Sequence, residues 1–213
     1  MALTDQDILT EVQGLLAETE NGGASYSSGM WTADEVLGYL DDRQQGVVTT
    51  TGLKLTRATL ACAAGVLRHD LPADWIATQR LAWVRARDGR VFVLDRCDIW
   101  ELDAALSGWR SALGTPQAYT DTDTPTLQVQ VAPAPAEAGE LRITYLALPT
   151  KPTGTGAPLT VPDEVAPGLV WGTIGRMLRK EGRAKDTARA DAADQRYQLV
   201  VEAVKLLLRG WEG

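Results

Sequence analysis

The spacing of apolar residues changes twice along this 213-residue chain, and that change constrains its fold more than any other feature. Near both ends the apolar positions recur every three to four residues, the period of an amphipathic helix. In the middle they recur every second residue, the period of a strand with one buried face. Ile8, Leu9, Val12, Leu15 and Leu16 make one helical face, opened by Thr4 with Asp7 three residues on as a capping pair. Residues 20–29 have the composition of a loop. A second helix follows, with Thr32 as its cap, Glu35 reaching back to it and Trp31 stapled against Val36. It runs through Leu37, Leu40, Gln44 and Val48 to a break at Gly52. At the other end, Pro162-Asp163-Glu164 places acids at the positive end of a helix dipole. Val165, Leu169, Val170, Ile174, Met177 and Leu178 form its stripe, and Gly182 is placed to end it as a left-handed cap. Asp186 caps the last helix, whose stripe is Ala193, Tyr197, Val200, Val204, Leu207, Leu208 and Trp211.

Between these pairs the chain reads as strands and turns. Strands are predicted at 56–62, at 68–72 as a short return strand, at 75–85 and at 91–94, the last two joined by an Asp88-Gly89 hairpin turn. Asp98 caps a short helix carrying Ile99, Leu102 and Leu106. Further strands are predicted at 116–120, at 126–132 with Leu127, Val129 and Val131 on one face, and at 140–148 with Leu141, Ile143 and Tyr145 on one face. A Pro- and Gly-rich stretch then leads back to helices. Two short amphipathic helices cannot bury their stripes alone, so the two pairs are expected to pack on each other. The fold class is therefore α+β: a helical bundle formed by N- and C-terminal helix pairs, with an inserted β-rich domain of sandwich or barrel type. The expected divisions are 1–52 for the first pair, 53–150 for the insertion, 151–162 for a linker and 163–213 for the closing pair.

Charge is unevenly placed. Residues 1–51 carry nine acids against one base, Arg43, whereas the rest of the chain is close to balanced. An acidic quarter does not grip nucleic acid, which needs clustered Lys and Arg; it suits either a solvated helix face or a surface past which DNA slides. The start of the chain is acidic and helical in pattern, unlike a signal peptide, and no apolar run is long enough to span a membrane. Cys62 and Cys97 fit no metal-ligand spacing and are read as reduced, buried thiols.

No constellation for catalysis stands out. His69 is the sole histidine, and it is read as a surface or rim residue, with no serine elbow to serve as its nucleophile. Asp121 and Asp123 form an Asp-x-Asp loop that lacks the further oxygens of a calcium site. Gly154-Thr155-Gly156 lacks the lysine and flanking strand of a phosphate loop and is read as linker. No catalytic, metal or cofactor-binding residue is assigned, and no cofactor is expected. Seven tryptophans stand against one phenylalanine. Most are expected in the core, and Trp211, at the far end of the last stripe, as an anchor for a neighbour.

These elements, in this order, resemble the head-to-tail adaptor (connector) proteins of tailed bacteriophages. The resemblance is carried by Trp31-Thr32-x-x-Glu35-Val36-x-x-Tyr39-Leu40-x-x-Arg43-Gln44 and by Leu71-Pro72-Ala73-Asp74-Trp75-Ile76. Gly108-Trp109, the run Gly114 to Tyr119, and Val161-Pro162-Asp163-Glu164 before a helical pair add to it. The resemblance implies a structural virion protein of the neck, not an enzyme, assembled in the bacterial host cytoplasm. It implies a homo-oligomeric ring, typically twelvefold, docked beneath the portal protein. Such a ring extends the DNA channel, receives tail or nozzle proteins, lets genomic DNA pass without specific binding and has no membrane partner. It also implies a portal or subunit contact at Leu207, Leu208 and Trp211. The alternative from another class is a β-sandwich module binding carbohydrate through exposed tryptophans, on an oligomerising helical base. A small hydrolase built on His69 is a third.

Overall fold

The computed structural model describes residues 3–16, 30–121 and 126–209. In chain order the elements are α1 (Asp5–Leu16), α2 (Ala33–Thr51), β1 (Leu55–Cys62), β2 (Arg68–Asp70), β3 (Trp75–Arg85) and β4 (Val91–Arg96). Next come α3 (Ile99–Ala105), β5 (Leu113–Gly114), β6 (Ala118–Thr120), β7 (Gln128–Ala132), β8 (Ala134–Pro135) and β9 (Gly139–Ala147). A 3₁₀ turn (Asp163–Val165) leads into α4 (Ala166–Arg179), and α5 (Thr187–Arg209) follows. The fold is α+β, with helices at both ends and a barrel-like sheet in the middle. The chain divides into a helical unit, residues 1–54 with 148–213, and a β unit, residues 55–147.

In the helical unit the local signals act as their chemistry dictates. Thr32 Oγ1 accepts from the Glu35 amide (3.2 Å), and Glu35 Oε2 accepts from the Thr32 amide (2.9 Å). The same exchange joins Thr4 and Asp7. Gly52, at φ 73°, closes α2 with its N–H on the Val48 carbonyl. Thr32→Ala is expected to cost about 1 kcal/mol of stability, because an N-terminal donor of α2 loses its acceptor; urea unfolding followed by helical circular dichroism reads it. Trp31, just ahead of α2, is buried, and its indole N–H donates to the Met177 carbonyl of α4 (3.1 Å). The apolar stripes of α1, α2 and α4 form the core: Ile8, Val12, Val36, Leu40, Leu169, Val170 and Met177 are all essentially inaccessible. Gly182 is not the cap of α4. The helix stops at Arg179, Lys180 is extended (φ −59°, ψ 131°), and Gly182 takes its positive φ of 139° two residues later, in the turn.

The stretch leading into α4 is fastened rather than loose. Asp5 is fully buried, and its carboxylate accepts from the backbone N–H groups of Thr153 (2.8 Å), Gly154 (2.7 Å) and Gly156 (2.9 Å). Gly154 and Gly156 adopt left-handed φ values, which turn successive amides toward one point. The Gly-Thr-Gly segment is thus an anion nest whose anion is a side chain of the same molecule. Gln44, equally buried, donates to the Thr150 carbonyl and accepts from the Thr160 amide.

The β unit is a seven-stranded sheet in the order β1-β9-β3-β4-β6-β7-β2, beside a two-stranded β5-β8 ribbon. Its interior is built from Leu81, Trp83, Leu94, Val129, Val131, Leu141, Ile143 and Tyr145. β9 alternates as its sequence predicts, with Leu141, Ile143 and Tyr145 inside. Two β-bulges in β3 restore the phase that each alone would flip, so Trp75 and Trp83 both lie opposite inward residues of β9, Ala147 and Leu141. Asp98 and Glu101 form a capping box on α3, which packs over Trp109 and Ala132 through Leu102.

Three strand expectations change. β2 does not return along β1; it pairs with β7, and so becomes the far edge of the sheet. β7 begins at Gln128, because Leu127 has φ 59°, a left-handed conformation that cannot continue a strand. Gln130 is buried along with Val129 and Val131, so this strand is covered on both faces there and not only on the face of Val129 and Val131.

Candidate docking surface

α4 and α5 lie unusually close because α4 turns glycines toward α5. A Cβ on Gly168 would stand 2.8 Å from Val200 Cβ, and one on Gly172 would stand 2.8 Å from Tyr197 Cδ2. One on Gly175 would meet Asp194 Oδ1 at 2.6 Å. The close approach brings side chains of three helices together. Arg43 of α2 donates through Nε to the Gly172 carbonyl (3.0 Å), pairs through Nη2 with Asp194, and stacks on Tyr197 at 4.6 Å. Tyr197 returns a hydrogen bond to the Arg43 carbonyl (3.1 Å). Arg179 of α4 closes the network on Asp194 (2.8 Å) and Asp191 (2.6 Å). This network fixes the rotation of α5 about its axis and so decides which residues it presents outward.

The inner stripe of α5 is Ala190, Ala193, Tyr197, Val201 and Val204, all buried. Beyond Val204 the helix leaves its core. Leu206 and Leu207 are 70% and 69% exposed, and Leu208 is 37% exposed. Trp211, predicted to anchor a neighbour, lies outside the described residues. A second outer stripe also appears: Leu199, 71% exposed, then Ala203 and Leu206 at the i, i+4, i+7 spacing of one helix face. The sequence period does not reveal it, because the inner stripe alone accounts for that period.

Two clefts flank α5. One, of about 630 Å³, is lined by Asp191, Asp194, Gln198, Leu199 and Glu202, with Arg179 at its wall. The other, of about 240 Å³, lies between α1, α4 and α5 and is lined by Leu15, Trp171, Ile174, Leu178, Arg189 and Arg196. The Arg196 guanidinium stacks on Trp171 at 4.0 Å.

The β unit places its chemistry-bearing residues differently from the sequence reading. His69 is buried, not at a rim, and its Nε2 lies 3.5 Å from the Cys62 thiol and 3.2 Å from the Val66 carbonyl. The pair bridges β1 and β2, the two edges of the sheet, and leaves the barrel nearly closed. Burial pushes the Cys62 thiol up to about 11 and moves His69 below its ordinary value, so both are neutral near pH 7. Both cysteines are free thiols, Cys62 buried and Cys97 half-buried. Because unfolded His69 binds its proton more readily than folded His69, the β unit loses stability as pH falls below about 6.5. That contribution is fully present above this value and declines until the folded group itself titrates. His69→Gln is expected to flatten this part of the pH dependence, measured by denaturant unfolding between pH 7.5 and pH 5. Asp121 is engaged by Arg96 (2.8 and 3.0 Å), while Asp123 lies outside the described residues. Among the described residues no cluster of three or more His, Cys, Asp or Glu side chains is set to hold a metal. No described helix is long and apolar enough to cross a membrane.

The helical unit thus holds a glycine-packed helix pair that displays leucines and arginines outward. Compared with known proteins, residues 4–210 match the sequence profile of a family described as SU10 adaptor protein. No curated protein matches the chain.

Proposed function

This chain belongs to the SU10 adaptor protein family, and from that premise we propose that it is a head-to-tail adaptor in the neck of a tailed bacteriophage. The match over nearly the whole chain carries the proposal, since helical and β units are matched together. The role is structural rather than enzymatic. Copies of the chain form a ring, twelvefold as is typical of such adaptors, beneath the portal protein; the ring prolongs the DNA channel and offers a docking surface to tail or nozzle proteins. Assembly takes place in the host cytoplasm. The helical unit makes the ring contacts, and the β unit is left for tail components. Exposed acids on the first two helices, Asp7, Glu11, Asp34 and Asp42, support a channel-facing surface that repels rather than holds DNA.

Leu207 and Leu208 are proposed as the contact with the portal or a neighbouring subunit, together with Trp211. The support for Leu207 and Leu208 is their exposure at the end of an otherwise buried apolar stripe. The test is a Leu207→Asp, Leu208→Asp double variant. Its helical circular dichroism is expected to match the wild type while binding to the portal or to other subunits falls by a factor of ten or more, on the order of one lost interface anchor. Unchanged binding would remove these residues from the interface. The carbohydrate-binding alternative needs exposed tryptophans. Trp31, Trp83 and Trp109 are buried, which leaves Trp100, 80% exposed at the start of α3, as its main support among the described residues.

A further inference from the structure

The two flanks of α5 differ in a way that a single copy does not use. On one flank stand Leu199 and Leu206, with Glu202 between them. On the other is the cleft floored by Leu15, Trp171, Ile174 and Leu178 and walled by Arg189 and Arg196. An adjoining cleft of about 480 Å³ shares Leu178 and Arg189 with it and extends the groove to Arg183. Arg183, Arg189 and Arg196 are exposed, and none has a carboxylate partner among the described residues. The leucine ridge, for its part, is largely exposed, Leu199 by 71% and Leu206 by 70%.

Resting on the ring reading above, we infer that the subunit contact is a helix laid in a groove: the Leu199–Glu202–Leu206 ridge of one copy fits the Trp171–Arg189–Arg196 groove of the next. Three observations favour a second copy as the occupant. The dimensions match: Leu199 and Leu206 are seven residues apart, as are Arg189 and Arg196, a rise of about 10.5 Å in each case. The chemistry matches, because the ridge places a carboxylate between two leucines and the groove places two guanidiniums, neither with a carboxylate partner among the described residues, beside an apolar floor. The present partner of Glu202 is Lys205, three residues on and at the surface, an arrangement worth little and readily exchanged. Finally, ridge and groove lie about a quarter of a turn apart around α5 and share no residue. One copy can therefore give and receive at once; with the ridge given to one neighbour and the groove filled by another, the contact builds a head-to-tail series.

The test uses the full chain in sedimentation velocity over a range of concentrations. The wild type is expected to associate beyond the dimer. A ridge variant (Leu199→Glu, Leu206→Glu) and a groove variant (Arg189→Glu, Arg196→Glu) are each expected to remain monomeric with unchanged helical signal. Mixed together, they are expected to form a 1:1 pair and stop, because one intact ridge meets one intact groove. Arg189→Glu alone, which leaves the Arg196–Trp171 stack in place, is expected to weaken association and guards against a folding defect in the double variant. A wild type that stays monomeric, a wild type that stops at the dimer, or variants that associate like the wild type would each overturn the contact. Co-sedimentation with the portal is read separately. Portal binding that survives in both variants, with association also unchanged, removes the contact and leaves the adaptor role standing; absence of portal binding by the wild type removes the adaptor role itself.

Discussion

Asp5→Ala is expected to remove about 4 kcal/mol of stability from the helical unit. The Asp5 carboxylate is fully buried and accepts three backbone N–H bonds from Thr153, Gly154 and Gly156. Alanine leaves those three donors facing a vacated pocket, and an orphaned buried donor costs about 1–3 kcal/mol. The loss is steep because the nest also holds the start of α1 in place. Asp5 N–H donates to the Ala157 carbonyl, and Leu159 N–H donates to the Leu3 carbonyl. Asp5→Asn should fall between wild type and alanine, since its amide oxygen can still accept while its NH₂ opposes a donor. Urea unfolding with a helical probe reads both variants; an alanine variant within about 1 kcal/mol of wild type would show that the nest is satisfied by water instead.

The second large effect is expected at Gly172. A leucine there must find room where its Cβ alone would already stand 2.8 Å from Tyr197 and 3.0 Å from Arg43 Cγ. Leucine is intrinsically the better helix residue by about 0.8 kcal/mol, but overpacking of this kind costs about 1–3 kcal/mol. Here it also pushes Arg43 off the Gly172 carbonyl and away from Asp194. We expect a net loss of about 3 kcal/mol and a splayed α4–α5 pair, visible as loss of the Tyr197 contribution to near-ultraviolet dichroism. Gly172→Ala should show the same sign with a smaller magnitude. Either substitution proving stabilising would mean that α5 is free to move outward, and that its outward face is not fixed by packing.

How much of this was legible in the sequence depends on how local each signal is. The caps at Thr4, Thr32, Asp98 and Asp186 involve atoms within four residues, and the chain spells them out. The alternation of β9 and the stripe of α4 are equally local. Asp5 was not legible, because its partners lie about 150 residues away and the nest that receives it has the composition of a linker. Arg43 and Asp194 are likewise distant in sequence, and nothing in either neighbourhood names the other. The glycines at 168, 172 and 175 did carry a signal, small residues on one helix face, which a reading centred on apolar stripes passes over. The pairing of β2 with β7 joins segments about 60 residues apart, and the left-handed Leu127 that starts β7 late is foretold by no propensity of leucine. Of the proposed docking residues, Leu207 and Leu208 are visible as the end of a stripe, whereas Leu199 and Leu206 emerge only once the rotation of α5 is known.

The adaptor role itself is tested most directly by electron microscopy of the purified chain mixed with the portal protein of its own phage. The expected result is a ring of added density on one face of the portal, with one copy of this chain per portal subunit and a channel continuous with the portal's. Portal particles that stay bare at saturating concentrations of the chain would contradict that role.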